Sequence, residues 1–171
     1  MNTAEFTLAT FDQMLGTLEG LLAKAAATPQ GEAAFAARLV DDMYPLATQV
    51  RFTTHQVVNT LNRLAGTAVE TVDADHASLA EARAHLADVR ALVQSISPAD
   101  FVADDTVVEF DLPNGMAFSM SAAEYVRDWS LPQFYFHLMA AYAILRNQGL
   151  PLGKADYVGY IARHLKAPAS A

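Results

Sequence analysis

The sequence contains no cysteine, and it carries only eleven lysines and arginines against nineteen aspartates and glutamates in 171 residues. Without thiols the chain can build no disulfide framework, thiolate metal site or cysteine nucleophile. A formal net charge of -8 repels phosphate backbones and anionic lipid, so neither nucleic acid nor a membrane is expected as a partner. Charged side chains make up 18% of the sequence, against about 25% in ordinary domains, which leaves fewer groups to solvate a monomer's surface. Met1-Asn2-Thr3 opens no basic, apolar leader, and no uninterrupted apolar run reaches the roughly 20 residues of a membrane helix. A cytoplasmic protein is therefore expected. What the chain has in quantity is hydrophobic residues, 53% of the total. At this length they suffice to bury one core unaided, and a single domain over 1–171 is expected.

Apolar periodicity predicts four main helices. From Thr7 to Lys24, Phe11, Met14, Leu15, Leu18, Leu21 and Leu22 recur at three-and-four spacing. Thr28-Pro29-Gln30-Gly31 interrupts that stripe, and Glu32 to Leu39 reads as a short helix or lid. Tyr44-Pro45 opens a second helix carrying Leu46, Val50, Val57, Leu61 and Leu64, with Gly66 at its C-terminal stop. Leu79, Ala82, Leu86, Val89, Val93 and Ile96 form the most regular seam, equally suited to a bundle core or to a dimer contact.

The period then changes. Val108, Phe110 and Leu112 alternate with acidic residues, and Met116, Phe118 and Met120 alternate beyond Pro113-Asn114-Gly115, predicting a β-hairpin at about 106–120. Ser121-Ala122-Ala123-Glu124 has capping-box form for a short helix carrying Tyr125 to Trp129. Ser130 is expected to cap a fourth main helix with Pro132 in its first turn, striped by Leu131, Phe134, Tyr135, Leu138, Tyr142 and Leu145. Gly149-Leu150-Pro151 stops it, and a final short helix carries Tyr157, Tyr160, Ile161 and Leu165. The economical fold is all-α: one antiparallel four-helix bundle with a small hairpin inserted before the last main helix.

The C-terminal run His137-Leu138-Met139-Ala140-Ala141-Tyr142-Ala143-Ile144-Leu145-Arg146, continuing through Gly149 and Leu152-Gly153-Lys154 to Asp156-Tyr157, resembles a bacterial family of unknown function in the DinB-like superfamily. Pro45-Leu46, Gln49-Val50 and Arg63-Leu64-Ala65-Gly66 also look like that family's second helix. The resemblance implies the DinB-like bundle and carries no established activity. The wider superfamily is similar in fold to metal-dependent thiol transferases and isomerases, which hold a divalent metal on three histidines, two of them four residues apart on one helix. His137 can take the first of those positions, but Ala141 stands at the second and has no donor atom.

The histidines read the same way from their spacing, since none of the five lies three or four residues from another. His55 falls nearly opposite the second helix's stripe, predicting a surface residue, while His137 flanks the fourth stripe, predicting partial burial. His76 and His85 lie off the clean seam and are expected to be solvated. No metal and no cofactor are expected. The candidate ligand-binding residues are His137, His55, Tyr142, Tyr135 and Trp129, whose rings can line a cavity for a small organic molecule. A homodimer is the expected assembly. Two alternatives remain open: a metal-dependent transferase or isomerase using His55, His137 and a carboxylate such as Asp128 or Glu124, and a structural or stress-related module that recognises another protein.

Overall fold

A computed structural model describes residues 2–166. Helix α1 spans Thr3–Ala26, four residues ahead of the expected start, because Asn2 and Glu5 form a reciprocal capping box that satisfies the first exposed N–H groups. Helix α2, Pro29–Phe35, begins before the expected Glu32, with Pro29 in its first turn, where a missing N–H breaks no intrahelical bond. Gly31 is obligatory there: a Cβ would come within 1.9 Å of the Ala25 carbonyl oxygen. Helices α3 (Leu46–Leu64) and α4 (Leu79–Ser95) follow, and Gly66 closes α3 with a φ of +66°.

A hairpin of β1 (Val107–Asp111) and β2 (Ala117–Ser121) pairs Phe110 with Phe118, whose rings stack 5.2 Å apart. Its turn uses Gly115 at a φ of +86°. The Ser121–Glu124 capping box then forms and starts α5 (Ala122–Glu124). Beyond it the structure departs from expectation. Ser130 caps nothing; Tyr125–Ser130 is wound as a π-helix running without a break into α6 (Leu131–Asn147). Pro132 supplies the reason, since its ring crowds the carbonyl one turn back and its nitrogen cannot donate, so a widened turn accommodates it. Ser130 is instead fully buried, its hydroxyl 2.6 Å from that of Thr60 on α3. The expected last helix is split into α7 (Lys154–Tyr157) and a 3-10 segment, Gly159–His164, leaving Ile161 and Leu165 exposed.

Helix α1 packs closely on α4, and α3 on α6. The main core joins Phe11, Leu15, Leu18 and Leu22 to Leu86, Val89, Val57, Leu61, Phe134 and Leu138, with Phe11 edge-on to Phe134 at 5.0 Å. The regular α4 seam thus belongs to the core: Leu79, Ala82, Leu86, Val89 and Val93 are all buried. A second, smaller cluster of Leu64, Val108, Phe110, Ala122, Tyr125 and Val126 fastens the hairpin over the C-terminal end of α3. A two-stranded hairpin is too small to be stable alone, and this cluster is its support.

Candidate functional site

Where the hairpin overhangs α3 and α6, a cleft of about 630 Å3 is left, lined on α3 by Phe52, His55, Gln56, Asn59 and Arg63. Trp129, Gln133 and His137 line it from the π segment and α6, and Tyr44 and the hairpin residues Phe110 to Pro113 complete it. Its volume is in the range of small-molecule sites, about 300–1,000 Å3.

The cleft brings together three of the five sequence candidates, His55, His137 and Trp129. His55 is only partly exposed, contrary to the surface position its helical wheel predicts, and lines the cleft beside Phe52. Tyr135 and Tyr142 lie elsewhere. Tyr135 is exposed and edge-on to Phe134, and Tyr142 packs against Tyr157 of α7 at 5.6 Å. His76 and His85, expected to be solvated, face one another with ring nitrogens 3.1 Å apart and are both partly buried.

The protonation of His137 follows from its neighbours. The Gln49 amide nitrogen donates to the Tyr44 carbonyl at 3.2 Å, so its oxygen faces the imidazole and accepts from His137 Nδ1–H at 2.9 Å. Nε2 therefore carries the lone pair of a neutral ring. Burial pushes the His137 pKa down to about 4, so the ring stays neutral at physiological pH. For His55, burial first and then the charge of Arg51 depress the pKa below its ordinary value. Phe52 separates the two imidazoles, 5.0 Å from His137 and 6.4 Å from His55.

Several lining groups are unengaged by protein. The side-chain amides of Gln56, Asn59 and Gln133 make no hydrogen bond within the described residues, and the Gln56 amide oxygen is buried without a partner. Arg63 lies over the rings of Phe110 and Tyr125, its Cζ 5.0 and 5.7 Å from their centroids, and has no carboxylate partner among the described residues. Sequence reasoning missed Arg63, Phe52 and the amides. Their signal was a second stripe on α3, Phe52, Gln56, Asn59 and Arg63 at spacings of four and three, beside the apolar one.

The same residues do not fit the metal of the thiol transferases. Ala141 is buried in the core with no donor atom. The two carboxylates named to complete a two-histidine site are exposed and turned to other partners, Glu124 to Ser121 and Asp128 to Arg127. Among the described residues no group of three or more His, Cys, Asp or Glu side chains gathers as a metal site would require.

The helix pairing, the inserted hairpin and the cleft they leave define the class: an antiparallel four-helix bundle of the DinB-like fold. A DinB family member protein from Shewanella denitrificans has this fold, with a TM-score of 0.78 and 26% sequence identity over 99% of each chain. Residues 4–158 match the family described as "Domain of unknown function (DUF1993)", and the chain belongs to that family. No curated protein matches the sequence. No helix among the described residues is long and apolar enough to cross a membrane.

Proposed function

We propose that this protein binds a small organic molecule in the cleft beneath the hairpin, on a bundle whose ancestral metal site has degenerated. The observation that carries the proposal is the set of unengaged amides, Gln56, Asn59 and Gln133, gathered in one cleft walled by Phe52, Phe110 and Trp129. Apolar walls with a few convergent polar groups are what a small-molecule site requires. Trp129 is the chain's one tryptophan, which makes its emission a direct reporter of the cleft. Screening small metabolites by thermal shift and Trp129 fluorescence is expected to yield a ligand that moves both. Asn59→Phe, which fills the cleft from α3, should abolish the response in a folded protein. A panel that moves neither signal overturns the proposal.

We also propose that the protein is a homodimer. The α4 seam is committed to the core, so the support now comes from Tyr135, Phe136 and Met139, large apolar side chains left exposed on α6. Light scattering at micromolar concentration is expected to give twice 18.4 kDa, and Phe136→Asp should halve it. A mass of 18.4 kDa for the unmodified chain rejects the dimer.

A further inference from the structure

We propose that the cleft takes a small aromatic acid bearing a hydroxyl or amino group, its carboxylate held by Arg63 and its ring against Phe52 and Trp129. This rests on the small-molecule proposal above and adds the ligand's chemical class.

The first argument is a partly buried cation without an ion pair. Three of the described lysines and arginines are partly buried, Arg51, Arg63 and Arg90, and of these Arg51 pairs with Asp75 and Arg90 with Asp12 and Glu19. Arg63 is partly buried, yet among the described residues it makes no ion pair, and its contact with the Asn59 carbonyl is a long 3.5 Å. A guanidinium withdrawn from water and left without an anion has unsatisfied donors, and a carboxylate matches its planar fork with two parallel bonds. Phe110 and Tyr125 already hold the group in place, which lowers the entropy lost when a ligand is gripped. Asp111 also lines the cleft, but it is exposed and makes no ion pair with Arg63. With a single arginine and neutral histidines, the site suits a monoanion better than a phosphate dianion.

The second argument concerns a further polar atom. His137 lines the cleft and carries its lone pair on Nε2, an acceptor that calls for an O–H or N–H on the ligand. The third is the wall of the cleft, where Phe52, Trp129 and Phe110 offer ring faces and edges to a flat body.

The test uses 4-hydroxybenzoate and its neutral isostere 4-hydroxybenzamide, titrated by calorimetry and Trp129 fluorescence against the full chain and Arg63→Gln. The acid is expected to bind at least about tenfold tighter than the amide, as a charge-assisted pair implies. Arg63→Gln should remove that difference by weakening the acid alone. Equal binding of acid and amide, or an Arg63→Gln variant that weakens both alike or neither, overturns the assignment. If Arg63→Gln fails to fold, Arg63→Lys, which keeps the charge and loses the fork, should still weaken the acid several-fold and spare the amide; unchanged acid binding overturns the assignment. Binding of neutral aromatics with none of the acid refutes this inference while leaving a small-molecule site standing. No response from any compound in the wider panel refutes both.

Discussion

The two halves of the bundle solve the same packing problem with different chemistry. Where α1 meets α4 the buried contact is apolar, Leu15, Leu18 and Leu22 against Leu79, Leu86 and Val93, its charges lie outside it, and the buried Thr7 and Thr17 of α1 bond to backbone carbonyls and not across to α4. Where α3 meets α6, polar groups cross the contact: Gln49 and Thr60 of α3, both buried, reach His137 and Ser130. Buried polar groups are costly unless paired, so a bundle built only for stability has no use for them. The polar half is also the half that opens beneath the hairpin. One pair of helices is packed for stability, and the other, at some cost to it, sets polar side chains around the cleft.

The largest expected effect breaks the apolar half. Leu86→Ala removes a fully buried side chain from the α4 seam and should cost about 2–5 kcal/mol, read as a lower urea midpoint. Because the seam faces the core, the variant's oligomeric mass should not change. In the polar half the effect should be smaller and non-additive. The Thr60 hydroxyl donates its one hydrogen to the Gln56 carbonyl at 2.7 Å, so Ser130 is the donor in the bond between them. Thr60→Val then strands the Ser130 hydroxyl and should cost about 1–3 kcal/mol. Adding Ser130→Ala should recover part of that loss; a fully additive double variant would show that the two hydroxyls are not coupled.

Acid should also separate the halves. In the unfolded chain His137 takes up a proton near its ordinary value of 6.5, whereas burial delays this to about 4 in the fold. Between those values the unfolded state binds more protons, so stability falls as pH is lowered through the window and rises with pH across it. His55 and His85 are also depressed by burial and add to the same slope. His137→Gln should therefore flatten, without abolishing, the dependence of the urea midpoint on pH between neutrality and about 4. Asp75 behaves differently: burial opposes its ionisation, but hydrogen bonds from Thr48 and Arg51 and the charge of Arg51 outweigh it, holding the carboxyl below its ordinary 3.8. Its contribution is lost only at lower pH, so Asp75→Asn should lower the urea midpoint at neutrality and remove part of the acid loss that falls below the histidine window.

What the sequence made legible follows the same division. Helical periodicity located α1, α3, α4 and α6 because burial of an apolar stripe is a one-dimensional signal. Alternation around Asn114-Gly115 located the hairpin for the same reason. Ser130 was misread because its local context, a hydroxyl just ahead of a proline, is a cap pattern, whereas tertiary contact with Thr60 decides its position. His55 was read as exposed because a wheel shows which side faces the bundle and not what lies beside the other. Tyr135 and Tyr142 share with His137 rings able to line a cavity, but residues two and five positions away point to different neighbours on a helix. Arg63 and the amides escaped because no single one is unusual, and their meaning lies in what fails to meet them.

The smallest expected effect belongs to the outer face of the apolar half, and it tests whether charges there contribute at all. Arg90 reaches from α4 to Asp12 at 2.9 Å and Glu19 at 2.5 Å on α1, and Gln94 also donates to Asp12. Gly16 makes room for it, since a Cβ there would meet the guanidinium at 3.0 Å. Burial raises the cost of ionising Asp12, yet the hydrogen bonds from Gln94 and Arg90 outweigh it and leave the carboxyl below its ordinary range. The three charged side chains remain about a third exposed, so solvent screens them and the side-chain entropy of fixing them offsets much of the attraction. Arg90→Ala should therefore lower stability by no more than about 1 kcal/mol, and the deficit should shrink further in high salt. A loss as large as that of Leu86→Ala would mean that the apolar half depends on its charges as the polar half depends on its hydroxyls, and the contrast between the two pairs of helices would fail.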